Sequence, residues 1–555
     1  MTRPSPLLVF GSVLLCIAYL LPGHYLPWSS FQPQWVSALA MLLLAWGLVG
    51  MSGRPDRLDV PWLACLALFL AIVPWLQFAF GLIHFRSDAL LSSLYLLALA
   101  LCIVAGAAPD CSSRALVLRL VFGALLAASA ISVALALVQW LQIGSHTLVA
   151  DLPPGGRPFG NLAQPNHLAT LLSLGVVALL YEFQERRLTS VTTSLLLVWI
   201  AFGLVMTQSR TGWVSMGLLA LWCLWRGRHI PLRTPPSAVV LVGLLFLLAI
   251  LLWPRINDLL LLSTTPLQDR LAPGTRWLHW SAIWQAIWME PWWGYGWQQV
   301  SLAQQQTVLN HAPSMEMIQN SHNIGLDLLV WNGVPIGALA IAAGLLWFAG
   351  QVRRCADTYS FVLVAAVGIL GIHAMLEYPL DHLYFLLPLG IFAGLLGKES
   401  TRFRLPSPVF GLTLGVMACL WFWIGAEYLK VEQANRDVRL LLAGYGLDKV
   451  PEVPPPDVSL LDGPREYHRF MITSATVGMS QEELDWMRRV VGRNPYPPAM
   501  MRLSLALGLN GLPEEAALTL RRICHMHPKE RCSEAKEAWL SAQQQFSVLS
   551  SIPLP

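Results

Sequence analysis

The chain has 555 residues, of which 55% are hydrophobic and only 12% charged, with a formal net charge of +4. Soluble domains carry about a quarter charged residues, so this composition excludes a soluble globule over most of the length. The charge gathers at one end, with 31 charged residues among the 131 from Gly425 onwards against 37 in the preceding 424, which predicts a membrane part over 1–424 and a water-soluble part over 425–555.

Apolar stretches near the roughly 20 residues that cross a bilayer occur at about 7–26, 33–50, 61–80, 88–107, 115–140, 166–181, 190–206, 211–226, 237–253, 322–349, 359–376, 383–397 and 408–424. They predict an all-α polytopic membrane protein of about 13 spans. No small-x-small site follows the first stretch, so it reads as a span and not as a cleaved leader. With the amino terminus inside, 14 Lys and Arg residues fall in inner connections, from Arg3 to Arg404, against Arg86, Arg157 and Arg210 in short outer ones. That asymmetry sets the orientation, and the net positive charge reports topology; no basic patch points to nucleic acid. An odd span count sends the tail outside. Seven of the nine cysteines lie in spans or on the inner side, while Cys524 and Cys532, eight apart in CHMHPKERC, could pair in an oxidising compartment.

Three longer outer segments follow from this topology, at about 141–165, about 254–321 and from 425 onwards. The first carries RPFGNLAQPNHLATLL (157–172), where Gln164, Asn166 and His167 lead a helix into the membrane. Polar groups at membrane depth are costly and tend to face a cavity or a site; Asn166, taken alone, reads rather as a helix N-cap for the span. In TQSRTGW (207–213), Arg210 stands between two apolar runs. It is either a snorkelling helix-end arginine or a guanidinium placed for bidentate phosphate binding.

Arg276 opens RWLHWSAIWQAIWMEPWWGYGW, in which Trp277, Trp280, Trp284 and Trp288 form one helical stripe. Such a stripe fits a helix lying in the lipid interface or one packed on neighbouring spans; either places Arg276 near headgroup level. His311 lies in the same loop. His322 and Asn323 in SHNIGLDLL stand at the mouth of a span, and neutral imidazole, with a pKa near 6.5, suits proton transfer. Glu377 and Tyr378 in EYPLDH fit substrate contact, whereas Tyr384 reads as an interfacial anchor. The outer histidines and carboxylates show neither HxxxH nor HExxH spacing, nor a DxD pair, so the chemistry reads as metal-free and without a cofactor.

In the tail, NPYPPAMMRLSLALGLNGLPEEAALTLRRICHMHP (494–528) predicts two helices around NGLPEEA. Its length is close to the tetratricopeptide period of about 34 residues. PEVPPPDV (451–458) reads as a stiff linker.

Taken together and in this order, RPFGNLAQPNHLATLL, TQSRTGW, the Arg-Trp segment ending in PWWGYGW, SHNIGLDLLVWNGVPIG and EYPLDH resemble the bacterial O-linked protein oligosaccharyltransferases of the PglL type, within the O-antigen ligase and polymerase superfamily. SRTGW is common to the superfamily, while GNLAQPNHLA points to its protein-glycosylating branch. The resemblance implies transfer of an oligosaccharide en bloc from an undecaprenyl-pyrophosphate carrier in the inner membrane to Ser or Thr of a periplasmic protein such as a pilin. It implies catalytic roles for His322, Gln164 and Tyr378, and pyrophosphate binding by Arg210 and Arg276, with Arg270 a looser match for the latter. Asn166, His167, Asn323, Glu377 and His311 are further candidates for substrate contact. A ligase acting on lipid A core, or a glycan polymerase, is the alternative. A lipid-linked sugar transporter would need polar groups through the bilayer midplane, whereas these cluster on one face.

Overall fold

A computed structural model describes residues 5–51, 56–144, 147–153, 155–260, 262, 274, 276–397, 403–443 and 454–554. Arg270 and the first three residues of the 451–458 stretch lie outside this set. The membrane part comprises α1 (Pro6–Leu20), α2 (Phe31–Met51), α3 (Trp62–Ala79), α4 (Arg86–Ala107), α5 (Cys111–Trp140), α6 (Pro165–Gln184), α7 (Ser190–Thr207), α8 (Arg210–Arg226) and α9 (Pro236–Leu259). After α10 (Arg276–Met289) and α11 (Val300–Thr307) come α12 (Ile324–Arg354), α13 (Thr358–Leu376), α14 (Leu383–Leu396) and α15 (Ser407–Leu442). The tail folds as α16 (Asp462–Ile472), α17 (Gln481–Arg493), α18 (Pro497–Leu509), α19 (Pro513–Met526) and α20 (Lys529–Gln545).

Each apolar stretch read from the sequence holds a helix, although α1 ends at Leu20 and leaves 21–26 of the first stretch outside it. Among the described residues, ten helices are long and apolar enough to cross a membrane; α1, α14 and α8 are shorter, at 15, 14 and 17 residues. The protein is thus an all-α multi-pass membrane protein. Its strands among the described residues are β1 (Arg57–Asp59) and β2 (Arg404–Pro406), antiparallel with Leu58 opposite Leu405.

The chain forms two compact units. One comprises Met1–Phe69, Tyr95–Ala272 and Ala343–Phe422; the other comprises Leu70–Leu94, Pro273–Ala342 and Trp423–Pro555. In the first, α6 is buried along most of its length and packs against α5, α7, α8 and α13. Small residues permit such approach between spans. At Gly106 of α4 an added Cβ would lie 2.5 Å from the Ile391 carbonyl oxygen, and at Gly394 of α14 one would lie 2.2 Å from that of Ile103.

In the second unit, PWWGYGW and VWNGVP interlock. Gly333, at φ +71°, kinks α12 and admits the Trp292 carbonyl, while Gly294, at φ +67°, admits that of Val330. Val334 N–H then donates to Pro291 O and Tyr295 N–H to Val330 O, both at 2.7 Å. Trp297 stacks on Trp331 and donates to Asn332 Oδ1 at 2.8 Å. Only glycine tolerates both the left-handed backbone and the closeness.

The tail helices surround Phe470, Met500 and Trp539, a core that also includes Phe85 and Val308. Asp462 accepts from Arg86 N–H (3.0 Å) and Ser87 N–H (2.7 Å) at the start of α4, and Arg493 pairs with Asp88 at 3.0 Å. Glu427, buried in α15, accepts from the backbone N–H groups of Ser459, Leu460 and Leu461 at 2.8, 2.8 and 3.0 Å. Cys524 and Cys532 are disulfide-bonded, joining α19 to α20. The two helical runs expected around NGLPEEA are α18 and α19, turning at Gly511 with φ +79°.

Candidate active site

The candidate residues fall into two constellations, one in each unit. In the first, Gln164 is the N-cap of α6 and Pro165 its first residue, a position where a missing N–H costs nothing. Asn166 is therefore not the N-cap. Its Nδ2 donates to Glu377 Oε1 at 2.8 Å and its Oδ1 accepts from Ser209 Oγ at 2.7 Å, so its amide is used across helices. Gln164 Nε2 also reaches Glu377, at 3.5 Å, while its Oε1 is buried with no hydrogen-bond partner among the described residues. Glu377, 2% exposed, is the C-cap of α13 and gathers both amides on one carboxylate.

TQSRTGW makes the junction between α7 and α8. Gln208 closes α7 in the left-handed region (φ +46°), and its carbonyl accepts from Arg157 Nη1 at 3.2 Å. Ser209 caps α8 by accepting from Gly212 N–H at 3.2 Å. Arg210 is thereby the first residue of α8 and is exposed. The helix macrodipole puts partial positive charge at that end; an arginine there is electrostatically unfavourable by itself and adds to an anion-binding terminus.

Behind this network is a histidine–tyrosine cluster. His167 Nδ1 lies 3.1 Å from Tyr384 Oη, and its ring meets those of His382, His373 and Tyr378 at centroid distances of 4.5, 5.4 and 6.1 Å. Tyr384 is buried, so it is a partner of His167 and not the interfacial anchor its sequence position suggests. Both nitrogens of His382 are buried without a hydrogen-bond partner among the described residues. Burial, with the His24 imidazole adding to it, pushes His382 down to about 3, so it is neutral at working pH.

The second constellation is built from α10 and the loop before α12. Arg276 is the first residue of α10, the same placement as Arg210 in α8. Of the expected tryptophan stripe, Trp277, Trp284 and Trp288 are exposed, as fits a helix lying in an interface. Trp280 instead turns inward and donates from Nε1 to the Ser321 carbonyl at 2.8 Å. His279 is 2% exposed, with Nε2 at 3.8 Å from Glu316 Oε2. Burial lowers its pKa, and the neighbouring His322 and Arg276 act in the same direction against Glu316. His311 Nε2 lies 2.7 Å from Gln285 Oε1.

His322 adopts φ +60°, a left-handed conformation that costs a non-glycine residue about 1–3 kcal/mol and collects at functional sites. Hydrogen bonds hold the loop around it: Asp327 Oδ1 accepts Ser321 N–H at 2.8 Å, and Asn323 Oδ1 accepts Gly325 and Leu326 N–H at 2.9 and 3.3 Å. Asn323 thus caps α12. Among the described residues, no group of three His, Cys, Asp or Glu side chains is arranged to hold a metal ion.

Ser209, Asp327, His279 and Glu427 carry roles here that the motif reading did not assign. For Asp327 the signal was available, since it is a carboxylate within an otherwise apolar span.

Comparison with known proteins bears on the same residues. Residues 158–181, around Gln164 and His167, match a family described as "Protein glycosylation ligase"; residues 195–341 match "O-Antigen ligase"; and 361–542 match "Virulence factor membrane-bound polymerase, C-terminal". The chain is 29% identical over 543 residues to the "General O-oligosaccharyltransferase" of Acinetobacter baylyi, covering 94% of this chain and 93% of that protein. It is 27% identical over 445 residues to the "ComP-specific O-oligosaccharyltransferase" of the same organism, covering 77% and 78%.

Proposed function

We propose that this member of the O-antigen ligase and O-oligosaccharyltransferase group is a glycosyltransferase that moves an oligosaccharide en bloc from a lipid-linked donor to a protein hydroxyl. The donor is read as undecaprenyl-pyrophosphate oligosaccharide and the acceptor as Ser or Thr of a periplasmic, pilin-like protein, with the enzyme in the inner membrane. The disulfide in the tail supports exposure of that region to an oxidising compartment.

Arg210, presented on a helix N-terminus beside the buried Gln164–Glu377–Asn166 network, is the observation that carries the reading. A hydroxyl is a weak nucleophile and needs a positioned base; His322 takes its proton as the oxygen attacks the anomeric carbon. The departing lipid pyrophosphate gains charge, which Arg210 and Arg276 stabilise without a metal. Gln164 and Tyr378 hold sugar or acceptor, with Asn166, His167, Glu377, Asn323 and His311 as further contacts. A single displacement of this kind inverts the anomeric centre. A membrane region of 1–424 thus carries the chemistry, and a tetratricopeptide-like region of 425–555 stands on the acceptor side.

The match of residues 195–341 to an O-antigen ligase family supports the second reading, transfer to lipid A core. Purified protein in lipid, given the pyrophosphate-linked oligosaccharide and chelator, separates the two when offered a pilin-type protein and lipid A core in parallel. Glycan on the protein, lost in His322→Ala, is the expected result. Glycan on the lipid alone overturns the protein-acceptor reading, and transfer abolished by the chelator overturns its metal independence.

A further inference from the structure

The peptide that precedes His322 is held from both sides. Asp327, buried in the first turn of α12, accepts the Ser321 N–H at 2.8 Å; Trp280, on α10, donates to the Ser321 carbonyl at 2.8 Å. The Ser321 hydroxyl donates onward to the Asn323 carbonyl at 3.0 Å, and that same carbonyl accepts Asp327 N–H at 3.0 Å. Each polar atom of Ser321 is therefore committed, and the φ +60° of His322 lies directly beyond it. A left-handed histidine persists only when its surroundings over-determine it, and these four hydrogen bonds do so. Trp280 follows Arg276 by four residues, which places both on one face of α10. The bond that fixes the histidine loop therefore also fixes the helix that presents the arginine.

We propose that Asp327 and Trp280 are positioning residues for His322, clamping the Ser321 peptide so that the imidazole is aimed at the acceptor hydroxyl. The assignment rests on His322 being the base. Proton transfer requires the ring nitrogen within hydrogen-bond reach of the hydroxyl, and misplacement by about 1 Å costs on the order of 10²-fold in rate.

Full-length protein in lipid nanodiscs, assayed with lipid-linked oligosaccharide and an acceptor protein, tests the clamp through Trp280→Phe, Asp327→Ala, Asp327→Asn and the reference His322→Ala. Trp280→Phe keeps an aromatic ring at the position but removes the indole N–H together with part of the indole volume. Asp327→Asn keeps an acceptor for Ser321 and loses only the charge. We expect Trp280→Phe and Asp327→Ala to lower kcat about 10- to 100-fold, with KM for the donor within about twofold. Asp327→Asn should retain most of kcat, because its amide oxygen can still accept the Ser321 N–H. Wild-type kcat in both Trp280→Phe and Asp327→Ala, with His322→Ala inactive, overturns the clamp and leaves the base in place. A kcat in Asp327→Asn as low as in Asp327→Ala overturns the hydrogen-bond role of Asp327. Should Asp327→Ala fail to fold, Trp280→Phe decides alone. Activity in His322→Ala overturns the assignment of the base itself.

Discussion

Asn166 donates to Glu377 across 2.8 Å, tying the second residue of α6 to the C-cap of α13. Both side chains are buried, and Ser209 at the head of α8 completes the chain through the Asn166 oxygen. Three helix ends are thus held by one asparagine, and the position of Arg210, next to Ser209, depends on it.

Glu377→Ala is expected to leave the Asn166 amide without its acceptor, at about 1–3 kcal/mol, and to reduce transfer. Glu377→Gln keeps one acceptor oxygen and should retain more activity. Thermal unfolding in detergent and a transfer assay on the same preparations check this; equal activity in Glu377→Ala and wild type would show that the network has no part in the reaction.

Arg210→Ala should raise KM for the donor and lower kcat, together costing on the order of 10²-fold in kcat/KM. Lys should rescue little, because an ammonium cannot reproduce bidentate phosphate contact. Steady-state kinetics on the three proteins decide it.

Removing the Glu427 carboxylate leaves the N–H groups of Ser459, Leu460 and Leu461 without their acceptor. Of these residues Leu461 is buried, where an unsatisfied N–H costs about 1–3 kcal/mol, so Glu427→Ala should make the segment at 459–461 sensitive to limited proteolysis while wild type resists. Separately, Cys524→Ser with Cys532→Ser opens a short loop between α19 and α20 and should destabilise the tail by roughly 2–3 kcal/mol, seen as a lower melting temperature that reductant reproduces in the wild type.

Burial lowers the pKa of His527 and of His468 in the tail. In each, the unfolded chain, titrating near 6.5, takes up its proton at a higher pH than the folded one. Their contribution to stability is therefore full above about pH 6.5 and drains away as the pH falls towards the folded values. Melting temperatures at pH 7.5, 6.5 and 5.5 should decline in that order, and His527→Gln should flatten the decline. A profile unchanged by His527→Gln would remove this histidine as a cause.

Helix placement along the chain was readable because it follows from a local term, apolar run length; caps at Asp110, Thr189 and Asp357, each accepting from the N–H three residues on, are seen in the structure. Arg210 and Arg276 were readable as candidates because charge at membrane depth stands out against an apolar background. What no periodicity contained is which partner each polar side chain takes. Asn166 fits an N-cap locally, and only α13 and α8 turn it into a bridge. Trp280 belongs to the stripe of Trp277, Trp284 and Trp288 by spacing, and only the Ser321 carbonyl draws it inward.

The sequence by itself determined the all-α membrane class, the helical character of the apolar stretches and the helix pair around NGLPEEA, since these depend on burying apolar surface and satisfying backbone hydrogen bonds within each segment. Tertiary structure alone decided the burial of Tyr384 against His167, the left-handed turn at His322 and the interlock of Gly294 with Gly333. The physical reason is common to all three. A buried polar group must find a partner, and a strained backbone must be held by contacts from elsewhere; in both cases the deciding atoms lie far away in the chain and close in space.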